Sequence, residues 1–214
     1  MPFGRFRNIE NSYSLYEAFL KTIGFFGGTF DPIHFGHINL AIQLFELHKL
    51  DQILFCPAYC SPFKEASPPS ATPQQRLEMV RLAIEEIPHF RLSAYEIDRG
   101  DLSYTIDTLQ HLQGESRGSV KFRLLLSEEE ITHLDRWKDV QRLIKLAPPL
   151  IGCRSSSAFE GPLAQSLRTA FTQTHMMEIS STEIRARLRK GLYCGHLVPR
   201  KTLDYIRENE IYPD

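Results

Sequence analysis

The sequence predicts an α/β fold, a doubly wound parallel sheet with helices on both faces and a helical segment at the C-terminus. Three observations predict it. Apolar runs of strand length alternate with longer stretches whose apolar residues recur at helical spacing, the pattern of successive βαβ units. The first run, Ile23 with Phe25 and Phe26, ends in Gly27-Gly28 and leads into a helix. The segments richest in chemically able side chains follow strand ends, where such sheets bind ligands.

Residues 1–22 read as an N-terminal extension and 23–214 as the domain. In the extension, Leu15, Tyr16, Phe19 and Leu20 fall on one side of a short helix over 13–20. Beyond His37, Leu40, Ala41, Leu44, Phe45 and Leu47 give an amphipathic helix to about Leu50. Gln52 to Cys56 is a second buried strand, stopped by Pro57. The irregular loop from Pro57 to Pro73 is of a length that is usually functional or disordered. Thr72 and Pro73 have the chemistry of an N-cap and a first helical residue. Leu77, Val80, Leu82, Ala83 and Ile84 supply that helix's apolar side, and Pro88 ends it.

Phe90 to Ser93 is a third strand and Asp98 to Asp101 a polar loop. Ser103 then caps a helix through Leu109, leaving the N–H groups of Tyr104 and Thr105 free at its start. Val120 to Leu126 is the fourth strand. Leu146 to Cys153 is a turn and fifth strand, with Arg154 at its end. Ser155 to Pro162 is a loop and Met176 to Ile179 a short strand. Ser180 to Lys190 is a capped basic helix with Gly191 as its stop, and Pro199 opens a last helix to about Glu208.

Composition narrows the functional classes. The 214 residues suffice for one α/β domain with a core. Net charge is −1, so nothing global favours nucleic acid or an anionic membrane as partner. No apolar run approaches a membrane span, and the basic, polar start lacks the apolar core of a secretory signal. A cytoplasmic protein is expected. Of the four cysteines only Cys56 and Cys60 are close, which is poor spacing for zinc, and no protein-bound metal is predicted.

Two helix starts carry the chemistry. A Gly-Gly pair alone is a turn in most proteins, and a His-x-x-His alone is usually incidental. In Gly24 to His37, however, strand, glycine turn, Thr29, Asp31, His34, His37 and helix form one unbroken run. Glycines allow close backbone approach, and a helix N-terminus attracts anions. Imidazoles there add donors that can become cationic near phosphate. The physical reading is a phosphate cradle. Ser181-Thr182 repeats it, with Arg185 one turn later as a planar donor; a solvated basic face is the competing reading. Lys64 and Trp137 have bland readings too, a surface lysine and a core tryptophan. The charged neighbours Asp135, Arg136, Lys138 and Asp139 argue against deep burial of Trp137.

His34-Phe35-Gly36-His37 resembles the His-x-Gly-His signature of the nucleotidyltransferase superfamily, with its Rossmann-like domain. Gly-Gly-Thr-Phe-Asp-Pro around it, Ile179-Ser-Ser-Thr-Glu-Ile-Arg185, Ser103-Tyr104-Thr105 and Trp137 resemble the nicotinate-nucleotide adenylyltransferase family in particular. The resemblance spans about Ile23 to Tyr212. It implies transfer of the adenylyl group of ATP to nicotinate mononucleotide, with Mg²⁺ carried on the ATP phosphates. It implies that Gly27, Gly28, Thr29, Phe30, Asp31, His34 and His37 hold the phosphates, closed by Ser181, Thr182 and Arg185. Tyr104, Thr105 and Trp137 would take the nicotinate, with Lys64 and Arg154 also on the substrate. A homo-oligomer is left open.

The sequence departs from the family at Ser127, where glycine is usual, at Glu129, where aspartate is usual, and at Phe63, where histidine is usual. Glu129, or its neighbour Glu128, is expected to replace the aspartate on the adenosine side of ATP. Another nucleotidyltransferase, for example one acting on nicotinamide mononucleotide, is the alternative. So is a nucleotide-binding regulatory protein that has lost turnover.

Overall fold

A computed structural model describes residues 20–64, 67–154 and 161–213. The expected helix in the N-terminal extension lies outside these residues. Six strands, β1 (Lys21–Gly28), β2 (Gln52–Pro57), β3 (Phe90–Leu92), β4 (Val120–Ser127), β5 (Pro149–Cys153) and β6 (Phe171–Gln173), form one sheet in the order β3-β2-β1-β4-β5-β6. Every pairing is parallel, as the alternation of strands and helices predicts. The order reverses between β1 and β4, so a crevice opens beyond their carboxyl ends.

Side chains alternate across a strand, and β1 shows it directly. Phe26 packs with Ile33, Leu44, Phe55 and Met79 on one face. Phe25 packs with Leu124, Leu126, Ile106, Leu109 and Leu143 on the other. The first core lies under α1 (Phe35–Leu47), α2 (Pro73–Ile84) and the last helix; the second lies under α4 (Thr105–Glu115) and α6 (Val140–Leu146). A smaller cluster, Ile184, Cys194, Leu197, Val198 and Leu203, joins α8 (Ser181–Arg189) to α9 (Arg200–Glu208). The short helices are α3 (Tyr95–Arg99), α5 (Glu128–Ile131) and α7 (Ala164–Leu167).

Several elements differ from the sequence reading. Helix α1 starts at Phe35, so His37 lies inside its first turn, and it ends at Leu47. The segment Asp98 to Asp101 is not all loop: α3 runs through Arg99 and is closed by Gly100 in the left-handed conformation. Tyr104, not Ser103, caps α4, because the Ser103 hydroxyl accepts from the Tyr59 N–H at 3.0 Å. Met176 to Ile179 forms no strand. The edge strand is β6, and the chain leaves the sheet after Thr174 to reach the start of α1, where the Met177 carbonyl lies beside Gly36.

Other local signals hold. Thr72 caps α2, accepting from the Gln75 N–H at 3.2 Å, with Pro73 first in the helix. Gly191, at φ +64°, closes α8 with paired bonds from its own N–H to the Leu188 carbonyl and from Leu192 N–H to Arg187.

Candidate active site

The glycine turn is organised differently from its sequence reading. Gly27 and Gly28 are the extended end of β1, and neither has a positive φ. The left-handed residue is Phe30, at φ +50°. A Cβ at Gly28 would sit 2.9 Å from the Phe30 ring, so that glycine makes room for the turn. Phe30 is buried edge-on against His37, with centroids 5.2 Å apart, so it shapes the site from below.

His34 is the N-cap of α1 and His37 its third residue. The rings stack with centroids 3.7 Å apart. A Cβ on Gly36 would press the His34 ring at 3.0 Å, which explains that glycine between them. The His37 Nδ1 accepts from the His34 N–H at 3.3 Å. Burial lowers the His34 pKa to about 4. Burial first, then the neighbouring His34, lowers that of His37. Burial thus favours the neutral form of both rings in the absence of a bound anion. The buried His34 Nδ1 has no partner among the described residues.

Helix α8 closes on this turn. Ser180 caps it, accepting from Glu183 N–H at 3.1 Å. The Ser181 hydroxyl donates to the Pro32 carbonyl at 2.9 Å. Arg185 donates to the Asp31 carbonyl at 2.6 Å and to the Thr182 hydroxyl at 3.2 Å. The two signatures, far apart in sequence, are thus joined by direct bonds.

Asp31 does not present its carboxylate to a ligand. It is buried and accepts from the Ser70 N–H (2.9 Å), the Ala71 N–H (3.1 Å) and the Tyr212 hydroxyl (2.8 Å), with Arg185 at 3.7 Å. Its part is to fasten the start of α2, the C-terminus and Arg185 to the turn.

From Gly27, Gly28 and Thr29 a cleft of about 1080 Å³ opens toward α4, with Lys64, Tyr104, Thr105, Glu129 and Trp137 also on its walls. No acceptor among the described residues engages the N–H of Tyr104 or Thr105. Ile106 and Leu143 add apolar wall. Trp137 is half-buried, as its charged neighbours implied. Lys138 pairs with Asp107 at 2.8 Å and lies 4.6 Å from the centre of the Tyr104 ring. Phe63 lies under the Arg136 guanidinium, 5.3 Å from its ring centre, at the cleft mouth.

At the end of β4, Ser127 caps α5 and its N–H bonds Glu130 at 2.9 Å. Burial pushes the Glu130 carboxyl up to about 7. Glu128 accepts from the Arg154 N–H at 3.3 Å, and Glu129 and Glu130 lie on the cleft wall, Glu130 bonded to Ser127. Arg154 is not on the cleft wall but exposed and paired with Glu178 at 2.6 Å; His34, His37, Ser181, Thr182 and Arg185 also lie off the wall, grouped around the turn at its glycine end.

Arg76, buried behind the cleft wall, and Glu96, on it, escaped the sequence reading. Arg76 is 1% exposed and donates to the carbonyls of Thr29, Ala58 and Tyr59. The signal existed: positions 76, 79, 80, 83 and 84 trace the buried stripe of α2, whereas Leu77 and Leu82 lie at its margin. Glu96, on α3, is buried at the cleft, and its carboxylate accepts from the Thr108 hydroxyl at 2.6 Å. Burial raises its pKa. No sequence pattern marks it.

Among the described residues, no three metal-ligating side chains converge and no helix is long and apolar enough to cross a membrane. A glycine turn and two stacked imidazoles beside a cleft at the switch of a parallel sheet form the arrangement expected of a nucleotidyltransferase. Comparison with known proteins agrees. The cytidylyltransferase-like family model matches residues 25–187. A protein of Methylacidiphilum infernorum named "Probable nicotinate-nucleotide adenylyltransferase" is 35% identical over 89% of this chain and 91% of its own. One of the same name from Hydrogenobaculum sp. is 35% identical over 89% and 97%. The nicotinic acid mononucleotide adenylyltransferase of Plasmodium falciparum, complexed with NaAD, shares the fold. It superposes with a TM-score of 0.71 at 19% identity, over 90% of this chain and 97% of its own. The chain belongs to the cytidylyltransferase-like family and, within it, to the nicotinate-nucleotide adenylyltransferases.

Proposed function

We propose that this chain transfers the adenylyl group of ATP to nicotinate mononucleotide, giving nicotinic acid adenine dinucleotide and pyrophosphate in the biosynthesis of NAD. One observation carries the reading. A single cleft has the glycine turn at one end, and unengaged helix N–H groups beside a half-buried tryptophan at the other. The first suits a polyphosphate and the second a ring bearing a carboxylate.

The acceptor's phosphate oxygen attacks the α-phosphorus of ATP. The new P–O bond forms as the bond to the bridging oxygen breaks, and pyrophosphate leaves with that electron pair. No protein nucleophile is required, so the chain's work is positioning and charge stabilisation. Gly27, Gly28 and Thr29 bring backbone close to the phosphates. His34 and His37 donate from one side, and Arg185 with the Ser181 and Thr182 end of α8 from the other. Trp137 stacks on the pyridine ring, Tyr104 and Thr105 hold the carboxylate, and Lys64 faces the acceptor from the mouth. Glu129 takes the place of the usual aspartate. Arg154, held by Glu178, has no part in this reading.

ATP enters as its Mg²⁺ complex. The nearby Asp31 carboxylate is taken up by Ser70, Ala71, Tyr212 and Arg185. That fits an ion carried by the polyphosphate rather than by the protein. The mixed charge and scattered cysteines support a cytoplasmic setting.

The test is pyrophosphate release from MgATP with nicotinate mononucleotide, nicotinamide mononucleotide, or no acceptor. Release is expected with the first and only weakly with the second. Release with neither would remove the enzyme reading. The altered segment from Ser127 to Glu129 is the motive for the regulatory alternative, and the intact His34, His37 and Arg185 argue against it.

A further inference from the structure

Arg76 holds together the two ends of the cleft. It reaches from the buried face of α2, among Met79, Val80, Ala83 and Ile84, into the floor between two loops. Its Nη1 donates to the Thr29 carbonyl (2.8 Å), in the phosphate turn, and to the Ala58 carbonyl (2.6 Å). Its Nη2 donates to the Tyr59 carbonyl (2.8 Å). The loop it grips then grips the start of α4: the Tyr59 N–H donates to the Ser103 hydroxyl at 3.0 Å, and the Ser103 N–H to the Cys60 carbonyl at 2.9 Å. An unbroken chain of bonds therefore runs from the turn at Thr29 to the residue before Tyr104 and Thr105.

An ion pair does not explain the cation here. Its partners are three neutral carbonyls, its Nε has none among the described residues, and Asp31 acts on it only through charge. A whole buried ion pair can often be replaced by apolar residues at little cost, but Arg76 has no such pair, and its loss would leave the Thr29, Ala58 and Tyr59 carbonyls without this donor. What a guanidinium adds is a rigid fork of donors in fixed directions. We infer that Arg76 is a positioning residue that sets the spacing between the phosphate turn and the acceptor loop, and so the alignment of the two substrates. This rests on the adenylyl-transfer reading. Misplacing reacting groups by about 1 Å costs on the order of 10²-fold in rate, so the fork should be visible in turnover rather than in binding.

The experiment compares the full chain with Arg76→Met and Arg76→Lys, by steady-state kinetics and by amide hydrogen exchange. For Arg76→Met, kcat should fall roughly 10- to 100-fold, while both KM values stay within about threefold. Arg76→Lys, which keeps the charge and three donors, should lie between it and the parent. Exchange should quicken together at residues 28–31, at 58–61 and at Ser103, whose N–H is bonded to Cys60, and stay unchanged in α6. An unaltered kcat, or KM values rising with kcat intact, overturns the inference. So does faster exchange at one segment alone. If the parent chain releases no pyrophosphate, the adenylyl-transfer reading fails instead, and the exchange pattern still decides whether Arg76 links the two ends. The Lys variant serves if Arg76→Met does not fold.

Discussion

The His37 Nδ1 accepts a hydrogen bond from the backbone N–H of His34 at 3.3 Å, which places the proton of the neutral His37 ring on Nε2. The cap of α1 thereby fixes the tautomer of the residue proposed to donate to the phosphates. His37→Ala should lower kcat by roughly 10²–10³, the common cost of removing one preorganised donor to a charged transition state. The KM for nicotinate mononucleotide should change little. Near-normal turnover in a folded variant would take His37 out of the machinery.

The same cluster makes stability depend on pH. The His34 pKa is about 4 folded and 6.5 in the free side chain, because burial disfavours the charged ring. Between those values the unfolded chain binds the proton and the folded chain does not. Stability from this group is complete above pH 6.5 and is lost as pH falls toward 4, by about 3 kcal/mol. Denaturant titrations of the parent and His34→Asn, from pH 7.5 to 4, should show the parent losing more. Parallel curves would mean that His34 keeps an ordinary pKa when folded.

Acceptor choice follows from the start of α4. The free N–H groups of Tyr104 and Thr105 suit a carboxylate, which only accepts. An amide would turn an NH₂ toward them and leave polar groups badly paired, at about 1–3 kcal/mol each. The acid should therefore be preferred by kcat/KM at least tenfold. Trp137→Ala should weaken acid and amide alike, since stacking ignores the substituent. Equal efficiency with the two acceptors would end this account of specificity.

Sequence carried the elements whose signals are local. Thr72-Pro73, the stop at Gly191 and the run from β1 into α1 depend on caps, turns and periodicity within a few residues. It also carried the two helix starts that the fold joins through the Ser181–Pro32 and Arg185–Asp31 bonds. What it missed depends on where a side chain points after folding. Asp31 looks like a ligand in the turn, yet its carboxylate faces inward to Tyr212, a partner 181 positions away. Arg154 sits at a strand end as expected, but Glu178 holds it outside the cleft. Arg76 occupies a core position on a helical stripe, and only the three carbonyls it meets give the reason.

The end of β4 carries the last prediction. Ser127 and Glu129 stand where the family has glycine and aspartate, beside β1 and its phosphate turn in the sheet. Here the serine is an N-cap: its N–H bonds Glu130 at 2.9 Å, and its hydroxyl lies 3.3 Å from the same carboxylate. Glu130 and Glu128 are thus held, by Ser127 and by the Arg154 N–H, and Glu129 alone of the three acids remains for a nucleotide. Glutamate reaches one methylene farther than aspartate, and the Cβ that Ser127 adds would keep a nucleotide from approaching the backbone as closely as glycine allows. The two departures then compensate. Glu129→Asp alone should raise the KM for ATP by retreating from the nucleotide, and Ser127→Gly with Glu129→Asp should restore it in part. The KM for nicotinate mononucleotide should move less in both. Steady-state kinetics on the two variants decides the matter. If neither KM changes, this segment does not touch ATP; if only that for nicotinate mononucleotide moves, Glu129 belongs to the acceptor end of the cleft.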